Sequence, residues 1–497
     1  MNSQRLANNP GPLHFRFQAL ALGVMLLGVP GCQPERPGEE GELEPGTVAR
    51  EMRVANSLTT QALVLNTIST NPTANHLLTT GGLAPLFEPL TGNSYLRHQL
   101  RDTDAQSFMS YLVSCALPAG HHVLWKDPLT LTVRRWEGKT GLCPQWKTGA
   151  PSQECENRVS ACLLARNNAL GRRVELSIRG EDALRPTLFA LENETRPVEY
   201  DPDLGNGRVP SYETCTAAQT GMNRDCGWEA DFIGRCTAGQ PVRLGAGGKA
   251  PDQCATGSAL GTWSGARMML RVCDGIIGCD QGSTRQLGQS EGTCATPQAA
   301  VTFTCPASGY FNVMSAPYDS TLTGNVNVEV EPGTPAATHY RLSEKAVFRI
   351  REGAYYGNIF DAGALATKVF VDESGRIVGK DQVIQGSVYR KMFSCQAPEW
   401  TEAAAYASHR VCALPGAGAN CAAQPVGDCI DSANRAYPAS KCRKEDGAVV
   451  WGDGDFEECY DSTGTLWKEP ITVFLHEPCG LTPGASSNTC TWRGGTK

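Results

Sequence analysis

Three stretches of this sequence carry side chains whose type and spacing could do chemistry. Gly288-Gln289-Ser290-Glu291-Gly292 satisfies Gly-x-Ser-x-Gly, the pattern of a hydrolase elbow in which a sharp strand-to-helix turn exposes a nucleophilic serine. Its surroundings point elsewhere: no buried strand leads into it, no helical period follows, and Cys279 and Cys294 bracket it. A disulfide-rich turn is the expectation there. Asp453-Gly454-Asp455-Phe456-Glu457-Glu458 gathers four carboxylates in six residues, oxygen ligands of the kind calcium takes. Phe456 and the lack of a glycine at position six depart from an EF-hand loop, and a solvated acidic turn beside Cys459 is the competing reading. Asp453, Asp455, Glu457 and Glu458 are thus the one metal candidate, for calcium, and no other cofactor is expected. His121-His122 cannot easily share an ion, because neighbours along an extended strand point to opposite faces, and no His-Glu-x-x-His occurs.

Cysteine is the most abundant chemically special residue, with 21 in the chain. Cys32 stands apart from the rest. Arg5 and Arg16 precede the apolar run 19–29, which has signal-peptide length and is too short to span a bilayer as a helix. The run closes on Val29-Pro30-Gly31-Cys32, which resembles the bacterial lipobox, and the resemblance implies a diacylglycerol on the Cys32 thiol and a membrane as partner. An ordinary secretory signal with Cys32 in a disulfide is the alternative. Residues 33–46 are dominated by Pro, Gly and Glu, the composition of an extended, self-repelling tether. Gln33, not aspartate, follows the anchor, which for such lipoproteins implies the outer membrane.

Setting Cys32 aside leaves three even groups separated by cysteine-free stretches. Cys115, Cys143, Cys155 and Cys162 form the first. Cys215, Cys226, Cys236, Cys254, Cys273, Cys279, Cys294 and Cys305 form the second, and Cys395, Cys412, Cys421, Cys429, Cys442, Cys459, Cys479 and Cys490 the third. Exported chains use such sets as disulfide frameworks. Zinc is the competing use, and the lack of any Cys-x-x-Cys pair argues against it. Connectivity is not readable from spacing; pairing within groups is a guess.

The elements that must position these residues follow from periodicity. Met52, Val54, Leu58, Ala62 and Leu65 approximate one helical stripe, and a second helix is expected over 104–113, capped by Asp102 or Thr103 and burying Phe108, Met109, Leu112 and Val113. Leu129-Thr130-Leu131-Thr132-Val133 alternates as a strand does. A helix is expected over 155–169, ended by Gly171, then a strand at 174–178. From 205 to 335 the texture changes to short apolar runs punctuated by Gly, Asp and Cys, which reads as all-β, with strands at 268–272, 300–304, 310–314 and 326–330. At 497 residues the chain is long enough for about three domains. Its net charge of −7 and its unclustered Lys and Arg argue against nucleic acid as a partner, and its hydropathy excludes a multi-span membrane protein.

Two resemblances sharpen this reading. Met269-Leu270-Arg271-Val272-Cys273-Asp274-Gly275, then Leu287-Gly288-Gln289-Ser290-Glu291, then Val301 to Val313 with Phe303-Thr304-Cys305-Pro306-Ala307-Ser308-Gly309-Tyr310 resemble the bacterial pre-peptidase C-terminal domain. That resemblance covers about 100 residues and implies a small, non-catalytic β-sandwich, which makes Asp274, Glu291 and Tyr310 the first places to look for a ligand. The competing reading is geometric, since Asp-Gly steps more often serve turns than binding. Ser160 to Arg166, Glu352 to Phe360 and Ile471 to Leu475 are similar to uncharacterised cysteine-rich exported lipoproteins of social predatory bacteria, a resemblance that brings no activity.

The expected fold is therefore α+β with predominantly β character: a β-sandwich, jelly-roll-like, inserted in a disulfide-rich mixed domain. The expected order is signal peptide 1–31, tether 32–50, an α+β segment 51–204, the sandwich 205–335, and a cysteine-rich α+β segment 336–497 that packs on 100–200. The implied role is binding, adhesion or envelope structure by a surface-anchored lipoprotein, exported to the periplasmic or outer face of the outer membrane, with glycans or proteins as partners. The alternative is a secreted hydrolase of envelope or prey polysaccharide, drawing on carboxylates such as Glu352 and Asp361.

Overall fold

A computed structural model describes residues 58–180 and 219–476, less 170–175, 246–266, 294–299, 319–328, 331–336, 399–405, 414–418, 445–453 and several shorter gaps. Cys32, Cys215, Cys254, Cys294, Cys479, Cys490 and Asp453 lie outside the described residues, as do Met52, Val54 and Gly171.

The chain enters through a two-residue strand, β1 (Leu58–Thr59), and a run of short helices: α1 (Thr60–Leu65), α2 (Pro72–Thr80), α3 (Leu83–Phe87), α4 (Ser94–Gln99) and α5 (Thr103–Ala116). Most begin on a side chain that accepts an otherwise orphaned amide: Thr59 for α1, Asn71 for α2, Asn93 for α4 and Asp102 for α5. Phe108, Met109, Leu112 and Val113 form the buried face of α5 as their spacing predicts. Leu58 departs from its expected helical stripe, because β1 pairs with β4 (Asn167–Asn168) instead. Between them lie the hairpin strands β2 (His122–Lys126) and β3 (Val133–Glu137) and helix α6 (Gln153–Ala165). The helix starts on Ser152 and ends at Arg166, short of the expected 169. β5 (Leu176–Arg179) follows.

The alternation at 129–133 is not a strand. Val133 begins β3, and residues 127–132 form the turn that joins it to β2. Asp127 holds that turn: its Oδ1 accepts the amides of Leu129 (2.8 Å) and Thr130 (3.2 Å), its carbonyl accepts Leu131 N–H (2.9 Å), and its own amide donates to Thr132 O (2.9 Å). A carboxylate that satisfies successive amides locally outcompetes the period-two pattern for the backbone.

The next eight strands make a sandwich. They are β6 (Glu229–Cys236), β7 (Pro241–Gly245), β8 (Arg267–Asp274), β9 (Gln286–Thr293), β10 (Val301–Thr304), β11 (Tyr310–Pro317), β12 (Glu329–Val330) and β13 (Ala337–Tyr340). One sheet runs β13-β6-β11-β8-β9 and the other β10-β7-β12, every described pair antiparallel. Leu270, Val272, Phe311 and Val313 from the first sheet meet Val242, Leu244, Val301 and Phe303 from the second in one core, the face-to-face packing of a β-sandwich. Cys236 and Cys305 staple the two sheets. Gly234 lies opposite Phe311 in the ladder, and a Cβ there would run into the Phe311 ring. The last strand of the sandwich falls at Ala337–Tyr340, past the boundary near 335 that composition suggests.

The remaining strands rejoin the first part of the chain. β14 (Ile350–Gly357), β15 (Leu365–Val371), β16 (Ile377–Val378), β17 (Ile384–Tyr389), β18 (Met392–Gln396), β19 (Cys412–Ala413), β20 (Ala419–Cys421), β21 (Gln424–Asp428), β22 (Cys442–Lys444), β23 (Phe456–Tyr460), β24 (Leu466–Trp467) and β25 (Ile471–Leu475) complete the order. One five-stranded sheet reads β21-β18-β14-β25-β5, so β5, before the sandwich, pairs with β25 near the end of the described chain. A second reads β16-β15-β17-β20-β19, and β22-β23-β24 form a small third. One hydrophobic cluster runs from Leu58 through α5 and α6 to Val473 and Leu475. The fold is thus α+β and dominated by strands.

Seven disulfides are described, each closing within one of the three cysteine groups: Cys115–Cys162, Cys143–Cys155, Cys236–Cys305, Cys273–Cys279, Cys395–Cys429, Cys412–Cys421 and Cys442–Cys459. Cys226 is also disulfide-bonded. Bridges on this scale form and persist in oxidising surroundings, which places the protein outside the reducing cytosol.

Candidate functional site

Asp274 ends β8 and Tyr310 begins the neighbouring antiparallel β11, so the two come to one end of the sandwich sheet. Asp274 is occupied in closing that end: its Oδ1 accepts Ser308 Oγ–H (2.8 Å) and its carbonyl accepts Arg285 Nη2 (2.7 Å), while Gly275 N–H donates to Tyr310 O (2.9 Å). Tyr310 is buried among Ile233, Ile276, Phe348 and Phe474, where the sandwich meets the rest of the fold. Its hydroxyl has no hydrogen-bond partner among the described residues. Glu291 lies opposite Met269 in β9, five residues up the ladder from Asp274, or roughly 17 Å at strand rise. Asp274 and Tyr310 are thus backbone neighbours at one end of the sheet, but Asp274 is the ladder partner of Phe311, so the two side chains lie on opposite faces and only Tyr310 enters the seam. Glu291 stands apart. His476, just past β25, joins that seam: burial, and then the Arg285 charge, push its imidazole down to about 4.

The serine of the Gly-x-Ser-x-Gly match sits inside β9, opposite Leu270, in a continuous ladder. No strand-to-helix turn exposes it. Of the acidic run, Glu457 and Glu458 are consecutive in β23 and so project to opposite faces, Glu458 pairs with Arg443 (3.3 Å), and Asp455 is buried. Among the described residues the one convergent group of metal-ligating atoms is instead Cys395, Cys442 and Cys459. These sulfurs are engaged in two adjacent disulfides, with Cys395 and Cys442 Sγ 3.3 Å apart.

The carboxylates of the hydrolase alternative separate by burial. Glu352, in β14, is wholly enclosed and takes both its oxygens to Arg410 Nε (3.0 and 3.1 Å), with Tyr355 donating to Oε2 (3.2 Å). Arg410 lies in a π-helical turn, Ala407–Val411, and also donates to Ala165 O at the end of α6. Burial works against the Arg410 charge and the Glu352 carboxylate outweighs it, so the guanidinium is held charged. The pair joins three elements and reaches no solvent. Asp361 is accessible and pairs with Lys391 (2.7 Å). Nearby Glu156 accepts Asn358 Nδ2 (2.9 Å), and its carboxyl is raised by burial and further by Asp361 despite that hydrogen bond.

Sequence reasoning missed the feature that faces outward most plainly. On the inner side of the β2–β3 hairpin, Trp125 stacks on Trp136 (4.6 Å between centroids) and Phe87 meets Trp136 edge-on (5.2 Å). On the outer side and at the turn, Leu124, Leu129, Leu131 and Val133 are 42, 63, 66 and 58% exposed. The signal lay in the Asp127-Pro128 step, which starts a turn and so turns the alternating leucines outward. Among the described residues no helix is long and apolar enough to cross a membrane. No protein-family model, curated protein or solved structure matches this chain.

Proposed function

We propose that this protein is a surface-anchored, disulfide-locked module that binds or braces components of the bacterial envelope, held by a lipid on Cys32. The observation that carries this reading is the use of its polar groups. Glu352 and Arg410 are enclosed and pair with each other, Asp274 closes a turn and Tyr310 is a seam residue, while the β2–β3 hairpin presents exposed leucines and a valine outward. That arrangement suits adhesion to a surface better than turnover of a substrate. Lipidation accords with the lipobox-like end of the leader and with the even number of cysteines that remain once Cys32 is set aside.

Hydrolysis keeps one specific observation in its favour, the Glu156–Asp361 pair, where a raised carboxyl beside a second carboxylate has the form of an acid and its partner. Incubating the purified chain with labelled envelope polysaccharide separates the two. Retention of polymer at unchanged size supports binding. Shortening that disappears in Glu156→Gln and Asp361→Asn overturns it. Mass spectrometry of the N-terminal peptide tests the anchor, and an unmodified Cys32 in a disulfide overturns that part.

A further inference from the structure

We infer that the β2–β3 hairpin is a lipid-facing wedge that enters the headgroup region of an anionic bilayer. Four neighbouring apolar side chains, Leu124, Leu129, Leu131 and Val133, are 42–66% exposed, and such a patch marks an interaction surface. Leu131 adds an independent observation. It holds φ +60°, a left-handed conformation that glycine or asparagine adopts at far less cost. An exposed leucine there is unfavourable twice over, in backbone and in hydration, unless its side chain is buried by something else.

The turn is built to hold those leucines outward. Asp127 is itself buried, its hydrogen bonds fix the backbone of 127–132, and Arg134 reaches its Oδ2 at 3.0 Å. Beneath, the stacked Trp125 and Trp136 anchor the strands to the core.

Charge and size select a bilayer over a protein. Across 121–139, Lys126, Arg134, Arg135 and Lys139 outnumber Asp127 and Glu137, in a chain whose net charge is −7. Arg134 pairs with Asp127 and Arg135 with Glu137, so the excess is Lys126, beside the turn, and Lys139, at the base of the hairpin. A small cationic excess on the hairpin that carries the exposed leucines and threonine hydroxyls suits anionic headgroups over acyl chains. A stable protein partner needs roughly 800 Å² from each side, more than the tip of one hairpin offers, whereas shallow insertion of a few leucines suffices for a protein already held at the surface. For that local concentration the inference rests on the anchored reading: the 25 residues between Cys32 and Leu58 span at most about 90 Å fully extended. The hairpin's own affinity for lipid does not depend on the anchor.

The test uses the full chain carrying Cys32→Ser, which cannot be acylated, and the same chain with Leu129→Ser and Leu131→Asn added. The apolar run 19–29 is common to both and cancels in the comparison. Both are sedimented with vesicles of phosphatidylethanolamine and phosphatidylglycerol, and with phosphatidylcholine vesicles, over a range of salt. The expected result is partitioning to the anionic vesicles that weakens with salt and falls about tenfold in the leucine variant, with both chains melting at similar temperatures. Equal partitioning of the two chains overturns the inference. So does a parent chain that ignores vesicles, and if that parent is dimeric while the leucine variant is monomeric, the hairpin is a self-association surface. Because Cys32 is absent from both chains, failure here is distinct from failure of the anchor.

Discussion

Arg410 shows what a single residue can do that spacing cannot reveal. Glu352 lies 58 residues away and Ala165 lies 245 away, and nothing in the local sequence marks Arg410 as the group that joins β14, α6 and the π-helical turn. Glu352 was legible only as a carboxylate, and its enclosure removes it from chemistry. Breaking one half of such a pair strands a buried charge, so Arg410→Met should destabilise by about 3–5 kcal/mol. Adding Glu352→Leu should recover most of that loss, because an apolar pair in place of an ion pair is often near neutral. Urea midpoints of the four chains in this cycle give the answer; a double variant as unstable as the single would show that the charges themselves are needed. Leu131 carries the opposite expectation. Leu131→Gly relieves its left-handed backbone and should leave stability equal or higher by up to ~1 kcal/mol, and a clear loss of stability would mean that the side chain is packed in the folded state.

At the scale of elements, much was legible where local chemistry decides. The N-cap at Asp102, the buried face of α5 and the strands at 270, 302 and 312 follow from capping chemistry and period. The failure at 129–133 is equally physical: a period-two pattern reports a strand only if no side chain satisfies the backbone first, and Asp127 does. Disulfide partners were not legible, since pairing is set by how α5 and α6 cross, or by which strands face each other, as Cys412 faces Cys421 in the ladder between β19 and β20. The pairs now predict a ranking. Cys115–Cys162 closes 47 residues and Cys412–Cys421 closes 9, which the chain-entropy relation turns into about 4 and about 2.6 kcal/mol. Replacing both cysteines of the α5–α6 bridge by alanine should therefore lower stability by about 1.4 kcal/mol more than the same change at Cys412 and Cys421. Equal losses, or a reversed order, would show that strain or residual structure outweighs loop closure.

At the scale of the whole molecule, the β texture of the central stretch could be read from its punctuation, but the pairing of β5 with β25 across some 300 residues could not. Only the packed fold shows Ile178 beside Val473. The same is true of the seam, where residues of the sandwich, Ile233, Ile276 and Tyr310, meet Phe348 and Phe474, and Arg179 lies over the Phe474 ring (3.7 Å). His476 gives this seam a pH signature. Its ring meets Phe348 edge-on at 5.8 Å, and burial, then Arg285, lower it from 6.5 to about 4. Well above pH 6.5 the imidazole is neutral in both folded and unfolded chains and contributes no slope. Between 6.5 and 4 the unfolded chain takes up a proton that the folded chain refuses, so stability falls as pH falls, by about 3 kcal/mol over the whole interval. Asp104 and Glu156, whose carboxyls are raised, act in the opposite sense and are common to both chains in the comparison that isolates the histidine. Unfolding free energies of the parent and of His476→Gln, measured by urea denaturation at pH 7, 6, 5 and 4.5, should diverge as the pH drops, with the parent losing the additional stability. Parallel curves would mean that His476 accepts its proton freely in the folded state and that the seam admits water.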